Sequence, residues 1–175
     1  MTPGTMPFKR CRLRDAQWSD AATRRERSRP ETQLNDKEIQ ILQPPGWTTP
    51  RGYANGIAAR GRLIFVGGQI GWNAQQEFES DAFVAQARQA LANVVAVLNE
   101  AGGKSEHIVR MTWYVVDKRE YVASYRELGQ AYRAVIGRHF AAMTAVEVSA
   151  LIEDRARVEI EATAVVPDDD RPGDR

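Results

Sequence analysis

The sequence predicts an α+β fold: one mixed sheet with two helices on one face, in the order β-β-α-β-α-β-β. Three observations lead there. Two segments, about 80–101 and 117–135, carry apolar residues at helical spacing. Runs rich in branched and aromatic residues, 63–66 and 108–117, precede them. Two late runs, Ala145-Val146-Glu147-Val148 and Val158-Glu159-Ile160-Glu161, alternate apolar and polar residues as strands do. Strands around two amphipathic helices make a two-layer domain, which leaves the second sheet face uncovered and predicts self-association through it.

Residues 1–38 are polar and charged without a sustained apolar period and are predicted to be a disordered basic extension. The domain proper is expected over 39–167, and 168–175 as a disordered acidic tail. Three prolines in ILQPPGWTTPRG (41–52) argue against regular structure there. Residues 53–72 read as a hairpin turning at Arg60-Gly61. Ser80 and Asp81 offer caps for the first helix. Its buried stripe is Phe83, Ala87, Leu91, Val94 and Leu98, and Gly102-Gly103 ends it. After the strand at 108–117, Asp117 and Glu120 have capping-box spacing. The second helix then carries Tyr121, Tyr125, Leu128, Tyr132 and Val135 on one stripe. The last two strands are expected to be joined by the charged turn Glu153-Asp154-Arg155.

At 175 residues the chain can bury one substantial core. Of 24 basic and 23 acidic residues, eight and three fall in 1–30, which leaves 16 and 20 in the remainder. The body is therefore mildly acidic, which argues against a surface built to grip nucleic acid. Cys11 is the sole cysteine, and His107 and His139 are far apart. That spacing predicts neither a disulfide nor a metal site. No apolar run is long enough to span a membrane, and no secretory signal is evident, so a cytoplasmic location is expected. The Arg-rich start bears only a faint likeness to a transit peptide.

GGQIGW (67–72) follows a strand, but it lacks the spacing and the Lys-Ser/Thr of a phosphate loop. It reads as a tight bend where backbone approaches closely, or as a pocket wall. Thr144 has no nearby histidine to activate it and reads as a strand residue. Glu147 and Glu161 read as paired polar residues of the sheet, and Glu159 as the better candidate for a functional acid. Met143 on composition alone is packing.

Taken together, GGQIGW, AQARQALANVVAVLNEAGG, YVVDKREY and the AVEV…VEIEATAV pair resemble the Rid family of reactive-intermediate deaminases, also called YjgF or endoribonuclease L-PSP proteins. The resemblance runs from about Gly52 to Val166. It implies a chorismate-mutase-like fold and a homotrimer with three ligand pockets between subunits, and no cofactor. It implies pocket roles for Tyr53, for Gly67, Gly68 and Gln69, and for Glu159 as the catalytic acid. It also implies substrate contacts at Met143, Thr144 and Ala145. In the family's deaminases the position taken here by Met143 carries an arginine that binds a 2-imino acid's carboxylate. A methionine cannot make those bidentate bonds. Arg126 falls where several members carry a pocket asparagine, so it is a candidate replacement cation; its alternative is a solvated helix arginine beside Glu127.

Three functions follow as expectations. The first is hydrolysis of an enamine, imine or related reactive metabolite in an inter-subunit cleft, with poor activity on small 2-imino acids. The second is a non-catalytic binder or sensor, its cavity made more apolar by Met143, Trp72 and Trp113. The third, and weakest, is RNA binding or endoribonuclease activity, which only the basic tail favours.

Overall fold

The computed structural model describes residues 39–168. The segments 1–38 and 169–175, with the extension and most of the tail expected there, lie outside the described residues.

Ten elements follow in order, and the α+β class holds. Strand β1 (Ile39–Leu42) pairs antiparallel with β2 (Gly56–Ala59) in a separate two-stranded ribbon. Strands β3 (Arg62–Ile70), β4 (Ile108–Val115), β5 (Ala142–Glu147) and β6 (Val158–Val166) form a second sheet in the order β3-β6-β4-β5. Helix α1 (Phe83–Glu100) joins β3 to a one-turn 3₁₀ helix (Ser105–His107) ahead of β4. Helices α2 (Lys118–Ala123) and α3 (Tyr125–Val135) join β4 to β5. None of the described helices is long and apolar enough to cross a membrane.

The sheet is mixed because of its connections. The α2–α3 crossover returns the chain parallel to β4, as a helical connection does. Strand β6 then runs antiparallel to both β4 and β3. The two late runs are thus not partners: β4 lies between them, and their nearness in sequence is not pairing. The segment 53–72 is likewise not a hairpin, because β2 turns to β1 and β3 to β6. The turn at Gly61 is real, however. Its φ is +142°, and a Cβ there would stand 2.2 Å from the Val166 carbonyl oxygen. The prolines exclude strand only beyond Leu42; Ile41 and Leu42 belong to β1.

All five stripe residues of α1 are buried, on β3 and β6. Val158, Ile160, Ala162 and Ala164 of β6 answer them from the sheet. Helix α1 begins at Phe83 with Ala82 as an unassisted N-cap. Ser80 Oγ accepts from the Ala82 N–H, and Asp81 pairs with Arg155 at 2.7 Å, so neither caps as expected. Asp117 does cap α2, accepting from the Arg119 and Glu120 N–H groups. The Glu120 and Arg119 N–H bonds hold its carboxyl below the usual value of 3.8. Glu120 does not close the box; its carboxylate turns to Arg157. The expected single helix is broken at Ser124, which ends α2 and starts α3.

On the sheet face away from the described helices, Leu63 and Phe65 stand 56% and 74% exposed.

Candidate functional site

Period-2 alternation assigns each candidate to a face. On β4, Met111, Trp113 and Val115 are buried beneath the helices. In parallel register with them on β5, Met143 lies beside Met111 and Ala145 beside Trp113. Met143 and Ala145 therefore share the helix face. Thr144, in register with Thr112, points to the open face. So do Glu159 and Glu161, between the buried residues of β6.

On the helix face Met143 and Ala145 form part of a cavity of about 710 Å³ between α2–α3 and the β4–β5 edge. Tyr53 joins them. Its neighbour Ala54 is buried, donates its N–H to the Ala141 carbonyl at 2.9 Å and makes a parallel bridge to Ala142. That pins the 51–54 loop to the start of β5 and holds Tyr53 near Met143. The helix wall is the tyrosine stripe: Tyr121 and Tyr125 meet edge-on at 5.3 Å, and Tyr132 stacks on Phe140 at 5.8 Å. Trp113 packs its ring edge-on to Tyr121. It is 3% exposed, and its indole Nε1 is buried with no hydrogen-bond partner.

Two tyrosines of this wall are tuned by burial, which pushes Tyr132 up to about 12 and raises Tyr121 as well. Tyr132 donates its hydroxyl hydrogen to the His139 carbonyl at 3.0 Å.

The cavity's cations are Arg51 and Arg133. Neither has a carboxylate partner among the described residues. Arg126 is exposed and lies outside the wall, because Tyr125 takes the wall at that turn. Arg133, two helical turns further, reaches it. Gly129, in the interior of α3, lies beside the Arg133 guanidinium; a Cβ there would meet Nη1 at 3.4 Å, an ordinary contact. Trp72 packs on Phe78 at 6.3 Å and takes no part in the wall.

The remaining candidates gather on the open face. Strand β3 carries a bulge between Val66 and Gln69. A Cβ on Gly68 would stand 1.8 Å from Glu159 Oε1, so the glycine is what admits the glutamate side chain. Gln69 folds its amide back onto the Gly67 and Gly68 carbonyls. Arg110 lies 3.7 Å from Glu161. Glu147 is not a cross-strand partner of another charge; it accepts from the Lys118 N–H at the start of α2. Among the described residues no cluster of His, Cys, Asp or Glu has the arrangement of a metal site.

The candidates thus fall into two groups on opposite faces of one sheet. Tyr53, Met143 and Ala145 lie behind it; Glu159 lies in front with the Gly67–Gln69 bulge. Sequence reasoning missed Arg51 and Arg133 and placed the tyrosines on one stripe of the helix without giving them a role in the site. The stripe's composition was the available signal, since tyrosine carries a polar tip that a plain core does not need.

The family described as Endoribonuclease L-PSP matches residues 48–166, most of the described chain. The protein belongs to this family, the Rid or YjgF family. Among curated Rid relatives, a RutC family protein of Synechocystis is 36% identical over 139 residues, 75% of this chain and 97% of its own. An Escherichia coli protein named 2-iminobutanoate/2-iminopropanoate deaminase is 35% identical over 116 residues, 65% of this chain and 86% of that one. A Rid protein of unknown function from Yersinia pestis superposes with a TM-score of 0.66 at 30% identity, covering 74% of this chain and 99% of the other. The YjgF gene product of E. coli gives 0.52 at 37% identity, over 65% and 87%.

Proposed function

We propose that this Rid protein binds a small reactive metabolite in a cleft between subunits of a homotrimer and hydrolyses an enamine- or imine-like C–N bond there. The observation that carries the reading is the division of the family's pocket positions between two faces of one sheet. A second copy that lays its Glu159 and Gly67–Gln69 face against the Tyr53–Met143 cavity would unite them. In hydrolysis, Glu159 accepts a proton from a water that adds to the C=N carbon. The nitrogen takes up protons and leaves as ammonia, and a carbonyl remains.

Small 2-imino acids are poor substrates on this reading, because Met143 stands where the family's deaminases carry their arginine. Losing a charge-assisted contact costs about 1.5–3 kcal/mol, roughly 10- to 150-fold in rate. Ammonia release from 2-iminopropanoate, generated in situ by an amino-acid oxidase, tests this. Wild type is expected to stay near the buffer rate, and Met143→Arg to rise above it by at least tenfold. Brisk wild-type turnover would overturn the assigned role of Met143.

A second reading is a binder or sensor without catalysis, favoured by the aromatic wall around Trp113. It predicts ligand binding that Glu159→Gln leaves unchanged, and no turnover of any imine.

A further inference from the structure

The chemistry of the cavity wall narrows the ligand. A two-carbon side chain on an imino acid offers nothing to Tyr121, Tyr125, Tyr132 and Trp113, which flank the cavity together. We infer that the cavity takes a planar aromatic anion, with its ring against these side chains and its charge on Arg133, assisted by Arg51. The inference rests on the assignment of this cavity as the ligand site and adds the class of ligand.

Three independent features agree. Tyr121 touches Tyr125 and Tyr132 touches Phe140, so the rings make a continuous aromatic wall against which a further ring can lie. The two guanidinium groups lack carboxylate partners among the described residues. Trp113 lines the same cavity, and its buried indole N–H has no acceptor among the described residues. A buried donor without a partner is expensive, and on this inference an acceptor atom of the ligand supplies one. The anion anchor has in effect moved from β5 to α3, which opens the β5 side of the cavity to a bulkier body.

Titration calorimetry with three probes separates ring from charge: 3-phenylpropanoate, propanoate and 3-phenylpropan-1-ol. The aromatic acid is expected to bind at least tenfold more tightly than either of the others. Arg133→Gln should remove its advantage over the alcohol and leave the alcohol's Kd unchanged. In a 15N-labelled sample the Trp113 indole N–H resonance, assigned by its loss in Trp113→Phe, should move downfield on binding. Equal binding of propanoate and 3-phenylpropanoate overturns the inference, as does an acid preference that survives Arg133→Gln. Rapid turnover of small aliphatic imines with no aromatic binding would leave the proposed hydrolase standing and sink this inference alone. Aromatic binding without turnover of any imine would do the reverse.

Discussion

Tyr132 concentrates several forces in one side chain. It is 6% exposed, stacks on Phe140 and donates to the His139 carbonyl. Removing the hydroxyl in Tyr132→Phe should cost about 0.5–1.5 kcal/mol near neutral pH. The pH dependence has a definite sign. The folded-state pKa of about 12 lies above the ordinary 10.0, so the stabilisation is complete below pH 10. It is lost as pH rises towards 12, because the unfolded chain ionises first. Urea melts of wild type and Tyr132→Phe should therefore converge across that window. A gap that stays constant would mean the hydroxyl is not held neutral by burial. Gly68 supplies a second test at this scale. Gly68→Ala must displace the Glu159 carboxylate, whereas Gly67 has nothing within 4 Å of an added Cβ. Imine turnover should fall at least tenfold in Gly68→Ala. Turnover within twofold of wild type would detach Glu159 from the reaction.

Among the elements, the join between α1 and β6 depends on a residue the stripe does not contain. Gln86 is 1% exposed on the apolar face of α1. Its amide nitrogen donates to the Ser80 and Arg155 carbonyls, and its oxygen accepts from the Arg157 N–H at 2.8 Å. Gln86→Leu keeps the bulk and strands three backbone groups. The expected loss is about 2–4 kcal/mol, read as a lower urea midpoint. A loss under 0.5 kcal/mol would mean water satisfies those groups. The same residue marks the limit of the sequence. The five apolar stripe positions of α1 were legible because period 3.6 survives any tertiary context. Gln86 was not, since its partners lie 69 and 71 residues away in the chain. Pairing was lost for the same reason: alternation identifies β5 and β6 as strands, but nothing local says that β4 separates them. Tyr53 could be named, and Met143 given a pocket role, only by resemblance; Glu159 stood out as a candidate acid from the strand pattern, but its pocket also came from the resemblance. Their division between faces needed the register.

At the scale of the whole molecule, the two groups of candidates and the exposed Leu63 and Phe65 point the same way. Leu63 and Phe65 expose large apolar surface on the face that carries Glu159, on a sheet with helices on one side only. A face of that kind is stable in water when another copy covers it. A closed ring of three would cover every such face and bring each Glu159 to a neighbour's cavity. Sedimentation at micromolar concentration should then give about three times the chain mass of 19.6 kDa. Phe65 is 74% exposed in the single chain, so Phe65→Asp costs the isolated subunit little. It would bury an unpaired charge in the assembly, at several kcal/mol per interface. The variant should remain folded by circular dichroism, sediment as one chain and lose the Glu159-dependent turnover with its partner. A wild-type mass near one chain would overturn the assembly. A Phe65→Asp variant that dissociates yet keeps full turnover would show that one subunit completes the site by itself.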